Sequence, residues 1–205
     1  SNSIIIAGSG LECSMTGIRC HGESLTNIEN NTVANLSITK NASNFQVNLT
    51  GIKSNDGNVR KNKVYNLDLA LAVSPGPYVR GLEISHYYTN EDYEISNNMV
   101  SVDGGGKAYC YIWGLYLEQD ISVGGMNNVY FNSINISNKG HGATQIATGS
   151  YAFTFYSGYA RNINFQNNIF NNMIPTGSEG AVAICFWNDP EGTFGNYNLL
   201  HTAHS

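Results

Sequence analysis

The chain has 205 residues, a formal net charge of −5 and only 12% charged residues. A weakly acidic chain with no cluster of Lys or Arg is a poor partner for nucleic acid. It contains no run of 18 apolar residues, so no membrane-spanning helix is expected, and the first residues lack the basic start and apolar core of a signal peptide.

Taken in chain order, two short phrases alternate. The first is a strand phrase whose opening residue is small in five of six copies, followed by apolar, polar and apolar positions. Its copies are Gly17-Ile18-Arg19-Cys20, Gln46-Val47-Asn48-Leu49, Gly81-Leu82-Glu83-Ile84, Gly114-Leu115-Tyr116-Leu117, Ala152-Phe153-Thr154-Phe155 and Ala183-Ile184-Cys185-Phe186. Period 2 in Ile, Leu, Val and Phe predicts a strand with one buried face. The second phrase follows each copy and centres on Asn. It reads Ile28-x-x-Asn31-x-Val33, Val59-x-x-Asn62-x-Val64, Ile95-x-x-Asn98-x-Val100, Val129-x-x-Asn132-x-Ile134 and Phe165-x-x-Asn168-x-Phe170, with a weaker sixth copy at Gly195, Asn198 and Leu200. Between them lie turn-forming clusters such as Ser54-Asn55-Asp56-Gly57, Asp103-Gly104-Gly105-Gly106 and Pro175-Thr176-Gly177-Ser178. No stretch carries helical periodicity over three turns.

Successive Asn residues are 31, 36, 34, 36 and 30 positions apart. A fixed period in this range predicts stacked copies of one unit. A unit of strands without a helix cannot bury its apolar face alone. Pairing each strand in parallel with its equivalent in the next unit, about 4.8 Å away, builds a continuous core. The stacked Asn side chains then have a physical role. Each amide both donates and accepts, so Asn31, Asn62, Asn98, Asn132 and Asn168 are expected to form a structural ladder from unit to unit. Left unpaired, each would cost about 1–3 kcal/mol.

The phrases Asn30-Asn31-Thr32-Val33, Asn97-Asn98-Met99-Val100 and Asn167-Asn168-Ile169-Phe170 resemble the right-handed parallel β-helix repeat of pectin-lyase-like proteins. The segment from Asn167 to Thr202 (NNIFNN, AVAICFW, GNYNLLHT) resembles repeats of large secreted or surface β-helix proteins of Bacteroidetes. The resemblance implies an all-β, right-handed parallel β-helix of about six coils with almost no helix, filling residues 1–205 as a single domain. It implies little about activity, since the same coil serves lyases, hydrolases, adhesins and stalks. Both ends fall inside a repeat without a capping helix, so a fragment of a longer, secreted or cell-surface bacterial chain is expected.

The four cysteines are expected to remain unpaired. By the repeat register Cys13 and Cys110 lie three coils apart, about 14 Å, and Cys110 and Cys185 two coils apart, about 10 Å, whereas bridged Cα atoms lie within about 7 Å. Cys20 is expected to point inward.

The register also predicts two outward columns on the strand phrase: Arg19, Asn48, Glu83, Tyr116, Thr154, Cys185; and His21, Thr50, Ser85, Glu118, Tyr156, Trp187. Tyr116, Glu118, Tyr156 and Trp187 are the candidate carbohydrate-binding residues, because exposed rings stack on sugars while a carboxylate takes their hydroxyls. The competing reading is that these aromatics are ordinary strand formers covered by a turn. As catalytic candidates, Glu83 and Glu118 lie in neighbouring coils, a spacing compatible with a glycosidase carboxylate pair. Lys139-Gly140-His141-Gly142 is similar to the Gly-His-Gly of polygalacturonase-type hydrolases, but the aspartates of that pattern are missing, which leaves His141 a loop residue. For pectate-lyase chemistry Asp103, Asp120 and Glu118 are the calcium candidates, yet no Arg or Lys stands at a matching strand position. No cofactor is expected; the one other place for calcium is Glu91-Asp92-Tyr93-Glu94. The function expected is a non-catalytic, monomeric module that contacts a polysaccharide or cell-surface glycan. A polysaccharide lyase or glycoside hydrolase is the first alternative, and an adhesin spacer the second.

Overall fold

The structure is a computed structural model that describes residues 12–38, 46–69, 77–87, 90–103, 110–120, 124–137, 149–157, 161–174, 181–187 and 191–202. These residues form a parallel β-solenoid with no helix among them. The first turn holds β1 (Glu12–Glu29) and β2 (Thr32–Ile38), and the second β3 (Gln46–Arg60) and β4 (Lys63–Leu69). The next two are β5 (Tyr78–His86), β6 (Tyr93–Ser96), β7 (Met99–Asp103), then β8 (Tyr111–Gln119), β9 (Asn127–Tyr130), β10 (Ser133–Ser137). The last two are β11 (Gly149–Ser157), β12 (Arg161–Gln166), β13 (Ile169–Asn172), then β14 (Ala181–Phe186), β15 (Glu191–Asn196), β16 (Leu199–Thr202).

Every strand pairs in parallel with its equivalent one turn away, which gives three faces. Face 1 is β1-β3-β5-β8-β11-β14, face 2 runs β1-β3-β6-β9-β12-β15, and face 3 is β2-β4-β7-β10-β13-β16. Four turns carry three separate strands, against the roughly six coils expected. In the first two, β1 and β3 pass from face 1 to face 2 unbroken. The expected turn at Ser54-Asn55-Asp56-Gly57 therefore lies inside β3, and the chain bends there through Asp56, whose φ is 56°. The glycine clusters at 104–106 and 175–178 and the loop holding His141 lie outside the described residues.

The core is built of stacked columns. On face 3, Val33, Val64, Val100, Ile134 and Phe170 stack in register and are all buried. On face 2, Ile28, Val59, Ile95 and Val129 do the same, with Phe165 following. These are the apolar positions that flank each Asn in the sequence phrase. Towards the last turns the aliphatic columns give way to rings: Phe153 lies 5.3 Å from Phe170, stacked, and 6.3 Å from Phe165 and from Phe186.

The bend between faces 2 and 3 holds the Asn ladder. Asn62 Nδ2 donates to Asn98 Oδ1 (3.1 Å), Asn98 Nδ2 to Asn132 Oδ1 (2.9 Å), Asn132 Nδ2 to Asn168 Oδ1 (3.0 Å) and Asn168 Nδ2 to Asn198 Oδ1 (2.9 Å). Asn31 enters the same chain at 3.1 Å from Asn62 Oδ1. The second N–H of each inner amide donates to the carbonyl of the face-2 residue one turn back: Ile28, Val59, Ile95 and Val129 for Asn62, Asn98, Asn132 and Asn168. Each Oδ1 also accepts the backbone N–H of the preceding Asn. All four hydrogen-bonding positions of Asn62, Asn98, Asn132 and Asn168 are thus filled, which is why a primary amide suits this buried corner.

The residue before each ladder Asn takes a left-handed conformation: Asn30, Lys61, Asn97, Phe131, Asn167 and Tyr197, with φ between 53° and 59°. That single reversal turns the chain from one face to the next. Asn tolerates it, while Lys, Phe and Tyr are strained there.

Candidate functional site

The outer surface of face 1 is set by a small residue at the same place in every turn: Gly17, Gly51, Gly81, Gly114, Ala152 and Ala183. A Cβ on Gly81 would lie 2.3 Å from a Val100 methyl and 2.6 Å from the Gly114 carbonyl oxygen; on Gly114 it would lie 2.1 Å from Ile134 and 2.7 Å from the Ala152 oxygen. The glycines let face 1 close onto face 3. The strand bends there, and outward side chains one before and two after the small residue meet, as Arg80 and Glu83 do, and Trp113 and Tyr116.

This column corrects the expected register in the second turn. The copy of the strand phrase is Gly51-Ile52-Lys53-Ser54, five residues beyond Gln46-Val47-Asn48-Leu49, because Gly51 is the residue that packs against Val64 and the Gly81 carbonyl. The first outward column is therefore Arg19, Lys53, Glu83, Tyr116, Thr154, Cys185. Lys53 replaces Asn48, which stands level with Ser14 and Tyr78. The second column is His21, Asn55, Ser85, Glu118, Tyr156, with Trp187 one residue past the last pair, where its backbone N–H donates to the Phe155 carbonyl. Asn55 replaces Thr50, which is level with Thr16 and Arg80.

Lys53 changes the chemistry of Glu83. Its Nζ lies 2.5 Å from Glu83 Oε1, Arg80 Nη1 lies 3.0 Å from Oε2, and the Thr50 hydroxyl is 3.3 Å from Oε2. Burial works to raise the Glu83 pKa, but the Arg80 charge and the hydrogen bond and charge of Lys53 outweigh it, and the carboxyl sits below its ordinary value. Arg80 in turn is wrapped in rings: its guanidinium carbon lies 5.1 Å from the Tyr78 centroid, 4.9 Å from Trp113 and 4.8 Å from Tyr116. Tyr78, Tyr111 and Trp113 stack on one another at 5.2–5.7 Å, and Tyr151 continues the stack at 6.1 Å from Trp113. Glu83 is the buried anchor of a cation–aromatic cluster, held ionised and unsuited to donating a proton.

The candidate sugar contacts divide between this cluster and solvent. Tyr116 belongs to the cluster; burial first, then the Glu118 charge, push its hydroxyl pKa up. Tyr156 and Trp187 stand free of it, 42% and 52% exposed, with ring centroids 6.3 Å apart and planes 62° apart. Glu118 is half-buried on the rung before Tyr156. Tyr87, at the end of β5, donates its hydroxyl to the Glu118 carboxylate; burial, then that bond and charge, raise the Tyr87 pKa, so it stays a donor. Glu118, Tyr156 and Trp187 thus occupy three successive rungs, about 4.8 Å apart.

Sequence reasoning missed Arg80, Trp113 and Tyr87. The first two were visible as one repeated phrase, Tyr78-x-Arg80-Gly81-Leu82-Glu83 and Tyr111-x-Trp113-Gly114-Leu115-Tyr116. Tyr87 follows the strand phrase and carried no periodic signal.

The remaining candidates are spread out. Asp103, Asp120 and Glu118 do not gather, and among the described residues no three His, Cys, Asp or Glu groups stand close enough to hold a metal. In the Glu91–Glu94 segment, Asp92 Oδ1 accepts the Met126 N–H (2.8 Å), Tyr93 is buried with its hydroxyl on Asp56, and Glu94 pairs with Arg60 (3.1 Å). These oxygens serve contacts between turns. Cys20, Cys110 and Cys185 are free thiols. Cys20 packs against the core, and burial pushes the Cys110 thiol up to about 12, so it remains protonated. No family model matches the chain, and it has no match among the curated proteins or the solved structures.

Proposed function

We propose that this solenoid is a glycan-contacting module of a secreted or cell-surface protein, monomeric and without catalysis of its own. The observation that carries this reading is the pair Tyr156 and Trp187. Two large rings lie exposed on successive rungs, next to a carboxylate that Tyr87 holds in place. Exposed rings beside a fixed acceptor suit the C–H faces and hydroxyls of a sugar, and they sit on a rigid strand scaffold rather than a loop. The half-buried Arg80 cluster stiffens the neighbouring rungs and holds Tyr116 at the edge of the strip.

The resemblance to pectin-lyase-like repeats supports an extracellular setting, and the low charge agrees with it. The lyase or hydrolase reading has less support: Glu83, half of the carboxylate pair it needs, is neutralised by Lys53 and Arg80. A glycan array probed with the wild-type chain and with Trp187→Ala tests the proposal. Binding by the wild type that falls about tenfold or more in the variant is the expected result. Wild-type binding to no glycan would remove this reading and leave the fold intact.

A further inference from the structure

We infer that the strip over Glu118, Tyr156 and Trp187 takes a neutral polysaccharide and rejects those bearing uronate or sulfate groups. This rests on the glycan-contacting reading and specifies its ligand. The strands that carry the strip, β8, β11 and β14, contain no Lys, Arg or His. Among the described side chains of face 1, Lys53 and Arg80 both pair with Glu83, and Arg80 is enclosed by Tyr78, Trp113 and Tyr116. Arg19 heads the first outward column, three rungs from Tyr116, and His21 heads the second, three rungs from Glu118. That is about 14 Å at the strand spacing, beyond the screening length of about 8 Å at physiological salt.

The charge the strip does present is negative. Glu118 lies one rung from Tyr156, and the hydroxyl held on it belongs to Tyr87, a neutral donor. A uronate or sulfate laid on the two rings would face this carboxylate with no Lys, Arg or His on β8, β11 or β14 to pair with, a like-charge contact that selects against it. A neutral sugar brings only hydroxyl donors, which the carboxylate's remaining lone pairs accept, and axial C–H groups for the rings. The same arrangement therefore attracts one class of glycan and repels the other.

Affinity electrophoresis of the whole chain tests this, with soluble neutral polymers (mannan, xyloglucan, hydroxyethyl cellulose, dextran) and anionic ones (polygalacturonate, alginate, heparin) at roughly 0.15 M salt. At least one neutral polymer is expected to retard the wild type, with retardation little changed by added salt and lost in Trp187→Ala. Glu118→Gln, which keeps an acceptor for Tyr87, is expected to weaken neutral binding severalfold and to relax the exclusion of the anionic polymers. Tyr156 and Trp187 face solvent, so the Trp187 variant leaves the core untouched. Retardation by an anionic polymer that disappears in Trp187→Ala would overturn the neutral selectivity and keep the glycan-contacting reading. Neutral binding that both variants preserve would overturn this strip as the site. Retardation by none of the polymers would overturn the inference together with the reading it rests on.

Discussion

A ladder Asn does more than its neighbours in the core because four bonds converge on it. Removing the Asn132 side chain would leave the Asn98 backbone N–H and Nδ2 without their acceptor and the Ile95 carbonyl without its donor, all in a buried corner. Asn132→Ala is expected to lower unfolding stability by at least about 2 kcal/mol in urea titration. Asn31→Ala, at the first rung, should cost under about 1 kcal/mol, since the Asn31 backbone N–H still reaches Asn62 Oδ1. Equal losses at both positions would mean that the ladder is not cooperative. The residue preceding the ladder offers the opposite sign. Phe131 sits at φ 54° and is 59% exposed, in a place that three other turns fill with Asn. Phe131→Asn is expected to stabilise the chain by about 1 kcal/mol, read from the same titration. Glu83 couples stability to acid. Its folded pKa is depressed below 4.5, so its contribution is complete above that value and is lost as the pH falls through the folded pKa. Wild type and Glu83→Gln should therefore differ most in stability near neutrality, where the variant strands Lys53 and Arg80, and converge as the pH drops below about 4. A constant gap across that range would exclude the ion pair as its origin.

Each strand of face 1 is defined by where its small residue lies. Gly114→Ala would bring a methyl to 2.1 Å from Ile134 and 2.7 Å from the Ala152 carbonyl, and the second of these is backbone that cannot rotate away. A loss of about 1–3 kcal/mol is expected in denaturant unfolding. A neutral outcome would show that faces 1 and 3 can separate without cost. The column also shows how far pattern reading reaches. Alternation made Gln46-Val47-Asn48-Leu49 look like a copy, and its apolar positions are in fact buried. Yet β3 is 15 residues long and alternates throughout much of its length, so period alone could not choose between two frames five residues apart. What chose was the approach of Val64 and the Gly81 carbonyl to Gly51, which admits no side chain. A rule demanding a small residue at the start of every copy would have found it. The cost of the slip was chemical: it hid Lys53, and with it the reason that Glu83 is tied down.

Across the whole molecule, stability is expected to be graded along the solenoid, since each turn is held mainly by its neighbours. Phe170 is fully buried in the inward column of face 3, whereas Leu200, next in the same column, is 51% exposed. Amide hydrogen exchange measured by mass spectrometry should be slowest in β5 and β8, where Leu82 and Leu115 are fully buried, and fastest in β14–β16. Uniform protection from end to end would indicate a single cooperative unit instead.

The sequence by itself determined the architecture. An Asn flanked by apolar residues and repeated at a near-constant step can satisfy its amide and bury its neighbours at once only by stacking, so period and chemistry lead to the same coil. Tertiary structure alone decided which outward side chains share a rung. Loops of unequal length and a strand that runs through a corner shift the register by amounts that local pattern does not record. Pairing between turns sets that register, and so separates Glu83, locked between two cations, from Glu118, which stands beside two exposed rings.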